Sequence, residues 1–342
     1  TNREAQISGS AGNTAKAEGK SVKMTEAEKR ERWIFATNWS LPPEDMLEFV
    51  VPGVFGNESM QGAFPYWGRL GRPHDAVFQK GRMMPNYRGH TVYLGIIPLL
   101  FAVLAIFAWA SQKRAQAASA PQHASDLRPP TSDVPFWCVL WVVCLILAMG
   151  RYTPLYRLFY AIPYMDYIRA PVKFHHLAEV ATAFLAGFGM DAFLRADRPE
   201  MRRKMMCLGS GMAGLLLVGV LVALVAKPSV VRHITELGMG QAAEALSGYM
   251  LSNLLRAAGL AALVAGLAFF AARKVGERSL FWIGGVLVSV LALDQACVAR
   301  RYVKTMNVEP FYADNAVVKA VRKQAGNHVA NVVNYATQNS GQ

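Results

Sequence analysis

The chain has 342 residues, of which 53% are hydrophobic and only 17% charged, and this is too apolar for an ordinary soluble domain. Its 36 Lys and Arg against 23 Asp and Glu give a net charge of +13. Nucleic-acid binding is not predicted, because no basic patch is interleaved with aromatic residues as in known modules. Basic loops beside apolar runs instead suit a membrane surface and its anionic lipids.

The first 90 residues contain no apolar run long enough to cross a bilayer. Residues 1–32 are rich in small and charged residues, and we predict a flexible segment with at most a weak helix near residues 25–32. Residues 33–90 are rich in aromatics, Gly and Pro, and we predict an ordered loop domain on the membrane surface. The chain starts without a Met or a signal-peptide pattern, so we expect it to be part of a longer protein.

Six long uncharged runs follow, and a bilayer of roughly 30 Å needs about 20 such residues per helix. We therefore predict an all-α integral membrane protein with about six transmembrane helices in residues 91–298. Residues 151–172 are predicted to lie along the interface, a short amphipathic helix is predicted around residues 234–246, and residues 299–342 are predicted to start a soluble region. The predicted spans lie near residues 91–110, 134–150, 173–194, 205–226, 251–272 and 280–298.

The distribution of Lys and Arg predicts the orientation of the helices. One alternating set of loops, residues 111–133, 195–204 and 273–279, holds 11 Lys and Arg in 40 residues, and the other set, residues 151–172 and 227–250, holds five in 46. The positive-inside rule assigns the richer set to the cytoplasm. Both ends of the chain are then predicted on the non-cytoplasmic side of the inner membrane.

Common enzyme motifs do not account for this sequence. Gly209, Gly211 and Gly214 spell GxGxxG, but they lie in an apolar run without a preceding strand, so we interpret them as small residues at a helix contact. The four cysteines have no ligand-like spacing, and no metal site and no resident cofactor are predicted.

Ionisable residues inside apolar runs are costly and tend to face partners or cavities. Glu179, Arg256 and Asp294 are the main candidates. Arg256 with either Glu179 or Asp294 is predicted as a structural ion pair, and a role in binding substrate is the alternative.

A second group of candidates lies where a predicted outward loop enters the third span. Arg169, Lys173 and His175 bring cations to the depth of lipid head groups, and with Arg256 they are our candidates for binding a lipid phosphate. Contact with bulk lipid head groups is the alternative.

The predicted outward loop domain holds a third group, consisting of Glu44, Asp45, Tyr66 and Trp67. Carboxylates beside aromatic rings suit a sugar or a polar acceptor. For Glu44 and Asp45 the alternative is the first turn of a helix that Ser40 caps.

Several short motifs, in this order, resemble the bacterial YfhO family of multi-pass membrane proteins over roughly residues 33–312. They are Trp39-Ser40-Leu41-Pro42-Pro43-Glu44, Val51-Pro52-Gly53-Val54-Phe55-Gly56, Tyr66-Trp67-Gly68, Tyr93-Leu94-Gly95, Gly150-Arg151-Tyr152-Thr153-Pro154-Leu155-Tyr156 and Arg169-Ala170-Pro171-Val172-Lys173-Phe174.

The resemblance implies a GT-C glycosyltransferase, which transfers a sugar from a polyprenyl-phosphate carrier to a cell-envelope polymer outside the membrane. The acidic catalytic residue of that superfamily lies in the first outward loop, and this chain has no counterpart of that region. We therefore expect the general base upstream of Thr1 and no activity from this part alone. A transporter or lipid-handling protein, and a non-catalytic membrane scaffold, are the alternative functions.

Overall fold

The computed structural model describes residues 25–57, 63–69, 92–118, 133–195, 197–273 and 276–303, with residues 307, 319 and 323. The chain divides into two units, Thr1–Tyr302 and Val303–Gln342, and almost all described residues belong to the first. These residues form helices and connecting turns. The predictions for residues 1–24 and 70–90, and most of those for residues 304–342, lie outside the described residues.

Helix α1, Glu26–Thr37, begins at a capping box in which the side chain of Thr25 accepts a hydrogen bond from Glu28 N and the Glu28 carboxylate accepts one from Thr25 N. This arrangement satisfies backbone N–H groups that the first helical turn leaves without partners. The helix predicted near residues 25–32 is present, and it continues for one more turn.

A helix lies over each of the six predicted spans. Helix α3 has only 15 residues, or about 22 Å. By length and composition, the described residues contain four candidate membrane-spanning helical segments, and one of them is a 74-residue segment that contains both α6 and α7. The number of six spans stays a prediction. The helices are α2 (Ile96–Ala118), α3 (Val134–Ala148), α4 (Leu155–Ala161), α5 (His175–Leu194), α6 (Pro199–Ile234), α7 (Gly240–Ala272) and α8 (Glu277–Ala299).

The structure corrects the prediction between α6 and α7. Helix α6 continues through the predicted loop to Ile234, and a π-helical turn, Thr235–Met239, joins it to α7. Gly238 has a φ of 84° and interrupts the helix predicted around residues 234–246, since this left-handed conformation suits glycine at a helix end. With 36 and 33 residues, the two helices are each about 50 Å long, well beyond the roughly 30 Å of a hydrocarbon layer.

Close packing of α6 on α7 confirms the interpretation of one of the three glycines. A Cβ at Gly209 would lie 3.0 Å from both Ala261 O and Ala265 N, whereas no atom of the described residues lies within 4 Å of a Cβ at Gly211 or Gly214. Gly209 therefore permits close approach of the two helices. The other two glycines of the GxGxxG pattern make no such contact.

Residues 38–57 and 63–69, which we call the platform segment, cover one end of the helix bundle. The segment contacts α3, the residues before α2, the turn before α5, and α7. The contacts are Leu41 N to Ala148 O at 2.8 Å, Leu94 N to Phe49 O at 3.2 Å, Val172 N to Trp39 O at 2.9 Å, and stacking of Phe64 on Tyr249 at 4.3 Å. Most site residues predicted from the sequence lie in this segment or near the helix ends around it, whereas Arg256 lies in the middle of α7.

Candidate functional site

The turn that precedes α5 is rigid and strained. Ala170 has φ 60° and ψ 76°, a left-handed conformation that is uncommon for alanine, and such residues cost about 1–3 kcal/mol and persist only where the surroundings hold them. Two backbone hydrogen bonds hold this one, from Ala170 N to Ala36 O at 3.1 Å and from Val172 N to Trp39 O at 2.9 Å. The turn is therefore a fixed support for the residues on either side of Ala170.

Arg169 and Lys173 flank this turn, and both side chains are exposed. The Arg169 guanidinium lies 3.9 Å from the centre of the Phe35 ring. Among the described residues, neither cation forms an ion pair with a carboxylate. Two cations are thus presented to the solvent at the start of the candidate span Pro171–Leu194.

Exposed apolar side chains precede the two cations in the sequence, on α4 and in the residues that follow it. Helix α4 presents Leu155 and Leu158 to the outside, whereas its Tyr156 is fully buried against Trp33. Ile162, Tyr164 and Tyr167, which follow α4, are also exposed. An apolar surface with tyrosines and nearby cations is typical of a segment at the membrane interface.

His175, the third residue predicted to bind phosphate, lies elsewhere. Its side chain is only 1% exposed, and its ring packs 5.1 Å from that of Phe49. The Nδ1 atom lies 3.3 Å from Glu179 Oε1, and Nδ1 of the exposed neighbour His176 lies 3.1 Å from Glu179 Oε2. A buried imidazole cannot meet a lipid head group, so we do not include His175 in the phosphate site.

The sequence analysis missed that these three residues form a potential set of metal ligands. One ligand atom from each of His175, His176 and Glu179 lies within 4.8 Å of the others. The signal was present in the spacing, because on a helix a residue is adjacent to those three and four positions away. Glu179 is four residues after His175 and three after His176.

Arg256 is bonded inside the helix bundle. Its Nη2 donates to Asp294 Oδ1 at 2.5 Å and to the Asp294 carbonyl at 3.0 Å. The sequence left Glu179 and Asp294 open as partners, and the structure selects Asp294. Because the Arg256 guanidinium already donates to Asp294, the structure does not support Arg256 as a phosphate ligand.

The platform segment folds differently at Ser40 than predicted. The 3₁₀ helix Pro43–Phe49 begins after Pro42 without a side-chain cap. The Ser40 hydroxyl instead donates to Thr37 O at 2.6 Å and accepts from Arg151 N at 3.0 Å. Ser40 therefore joins the platform segment to the end of α3, and the predicted capping role is wrong. Glu44 and Asp45 do lie in the first turn of this helix.

The four candidate sugar-binding residues make contacts with different partners. Tyr66 OH donates to Asp45 Oδ2 at 2.6 Å, and both side chains are buried. Glu44 pairs with Arg69, whose Nη2 donates to Glu44 Oε2 at 2.7 Å. This hydrogen bond lowers the pKa of Glu44. Trp67 is half-buried, with its ring 4.8 Å from that of Phe55.

The sequence analysis did not predict the contact between Arg69, the partner of Glu44, and Tyr152, which follows α3. The Arg69 guanidinium lies 5.2 Å from the centre of the Tyr152 ring, and that of Arg151 lies 5.1 Å from the same ring. The Tyr152 ring thus contacts two cations. No local pattern in the sequence indicates this contact, because it joins the platform segment to the end of α3.

No family model, no curated protein and no solved structure matches this chain. The resemblance to the YfhO family therefore stays a prediction. What the structure shows is an all-helical protein with several helices long and apolar enough to cross a membrane.

Proposed function

We propose that this chain is the membrane-embedded part of a glycosyltransferase that binds a polyprenyl-phosphate sugar at Arg169 and Lys173. The rigid turn at Ala170 carries the proposal, because it holds two exposed cations at the start of a candidate membrane span. The sugar would be transferred to a cell-envelope acceptor on the outer face of the bacterial cytoplasmic membrane. The outward orientation, the six spans and the identity of the acceptor belong to this proposal.

The chemistry of the turn suits a departing lipid phosphate. A guanidinium binds two phosphate oxygens at once, and an ammonium adds a compact charge. Held in fixed positions, both groups stabilise the negative charge that develops on the phosphate as the sugar leaves. The exposed apolar residues of α4 offer a surface for the polyprenyl chain. The general base is assigned, as the family resemblance implies, to a part of the protein that precedes this chain.

Binding of polyprenyl phosphate to the full-length protein in lipid nanodiscs tests the phosphate site. We expect wild-type protein to prefer polyprenyl phosphate over the uncharged polyprenol, and Arg169→Ala with Lys173→Ala to abolish that preference. Arg300→Ala is the matched control, because Arg300 is an exposed cation outside the turn. Sugar transfer by the same double variant should be lost at unchanged membrane expression. Normal transfer and normal preference in the double variant would contradict the assignment.

A non-catalytic membrane scaffold is the second candidate, and the pairing of the charges inside the bundle favours it. Arg256 and Asp294 pair with each other, while Glu179 pairs with His175 and His176. The Arg256–Asp294 pair joins α7 to α8 and does not require a substrate, whereas the contacts of Glu179 lie within α5. The same pairing gives less support to a transport path through Glu179, Arg256 and Asp294. A full-length protein that binds envelope polymer without transferring sugar would favour the scaffold.

A further inference from the structure

We propose that His175, His176 and Glu179 bind one divalent transition-metal ion of the Zn²⁺ class at the start of α5. This site is independent of the proposed sugar transfer. Two imidazoles and a carboxylate are a common ligand set for zinc, and imidazole selects zinc-like ions over Mg²⁺ and Ca²⁺.

The distances between the ligand atoms fit this ion. Bonds of about 2.0–2.1 Å in a tetrahedral site separate neighbouring ligand atoms by about 3.3–3.4 Å. Nδ1 of His175 lies 3.3 Å from Glu179 Oε1, which matches this separation, and Nδ1 of His176 lies 3.1 Å from the other carboxylate oxygen, Oε2. One ligand atom from each of the three residues lies within 4.8 Å of the others. The side chains of His176 and Glu179 are partly exposed, at 57% and 36%, so both can rotate to bring one carboxylate oxygen and the second imidazole to the ion.

The environment of His175 provides a second and independent argument. Its side chain is buried, and within the described part of the chain neither ring nitrogen has a hydrogen-bond partner with acceptable geometry. A buried polar group without such a partner costs about 1–3 kcal/mol. A metal ion between Nδ1 and the Glu179 carboxylate would give Nδ1 a partner and remove that part of the cost.

The first turn of a helix is a poor place for a cation unless specific ligands hold it. The helix dipole opposes a positive charge there by about 0.3–1 kcal/mol. The Glu179 carboxylate offsets this effect by supplying a negative charge. With three protein ligands, a tetrahedral ion keeps one position for water or an anion, and the exposure of His176 and Glu179, at 57% and 36%, leaves that position accessible.

Titration of the full chain with Co²⁺ tests the site, because the visible absorption of Co²⁺ reports the number and geometry of its ligands. The protein is purified without a histidine tag, treated with a chelator and kept in detergent. We expect one Co²⁺ per chain, displaced by Zn²⁺. His176→Gln changes an exposed side chain and should weaken binding by at least tenfold. Even mutation of residues that only hydrogen-bond to metal ligands lowers metal affinity by about 10–100-fold.

Two further variants make the test specific. Glu179→Gln keeps the shape of the side chain but removes the carboxylate, and we expect the same loss of affinity. His233→Gln removes an exposed histidine beside Trp67, outside the cluster, and should bind Co²⁺ as wild type does. Absence of Co²⁺ binding by folded wild-type protein would overturn the proposal. Equal affinity of wild type and His176→Gln would also overturn it.

Discussion

Tyr93 and Asp294 are 201 residues apart in the sequence, yet the Tyr93 hydroxyl donates a 2.7 Å hydrogen bond to Asp294 Oδ2. The other carboxylate oxygen of Asp294 accepts from Arg256 of α7. The Asp294 carboxylate on α8 thereby connects α8 both to α7 and to the segment that precedes α2. The side chain of Asp294 is only 3% exposed, and these two donors each satisfy one of its carboxylate oxygens.

Arg256→Met should destabilise the protein strongly. Methionine replaces the aliphatic part of the arginine side chain but leaves Asp294 buried without its cation. Breaking a buried pair in this way costs about 3–5 kcal/mol of unfolding free energy. Arg256→Met with Asp294→Leu should recover part of the loss, because both charges are then removed, while the Tyr93 hydroxyl loses Asp294 as an acceptor. Denaturant unfolding in detergent micelles measures both effects. Wild-type stability of Arg256→Met would show that the pair has no structural role.

Gly209→Leu should loosen the α6–α7 contact. The added side chain meets the backbone at Ala261 and Ala265, and overpacking of this kind costs about 1–3 kcal/mol. Gly211→Leu is the matched control, because within the described part of the chain nothing lies within 4 Å of a Cβ there. Thermal unfolding in detergent compares the two variants. The packing interpretation fails if both variants unfold at the same temperature.

Tyr66→Phe should reduce stability by about 1.5–3 kcal/mol, the usual contribution of a hydrogen bond to a charged group. The change removes the hydroxyl that donates to buried Asp45 without altering the shape of the ring. Tyr164→Phe, at an exposed tyrosine, should leave stability unchanged. A Tyr66→Phe protein with wild-type stability but impaired binding of an acceptor sugar would instead support the sugar-binding role predicted from the sequence.

The ion pair of Glu44 with Arg69 should make stability depend on acidic pH. Arg69 lowers the pKa of Glu44 in the folded protein below its ordinary value of 4.5. A lowered folded-state pKa contributes stability above the unfolded-state pKa, and that contribution is lost as the pH falls through the folded-state value. Arg69→Met should therefore be less stable than wild type at neutral pH, and the difference should disappear at acidic pH. The difference is expected to be small, because both side chains are partly exposed.

Unfolding of wild type and Arg69→Met across the acidic range measures this dependence. Lys227→Met removes a different exposed ion pair, with Glu244 of α7, and serves as a charge-matched control. A stability difference between wild type and Arg69→Met that stays constant through the titration of Glu44 would contradict the assignment of the lowered pKa to Arg69.

The class of the protein and the positions of its helices follow from local properties of the sequence. The length of an apolar run and the period of a helix depend on neighbouring residues alone, so a helix lies at each predicted span. The helix at Glu26–Thr37 was also predictable in this way, because its capping box involves residues three positions apart. Gly209 was identified as a packing position from its neighbours in an apolar run, although the sequence could not show that Gly211 and Gly214 face no neighbour.

Only the tertiary structure decided which partners the charged side chains take. Arg256 pairs with Asp294 and not with Glu179, and Glu179 contacts the two histidines. Ser40 bonds to Arg151 rather than capping its own helix. The sequence alone specified which residues carry charge and which segments are helical. The pairing of those charges depends on how distant segments fold against one another, because ion pairs and hydrogen bonds form only between atoms a few ångströms apart.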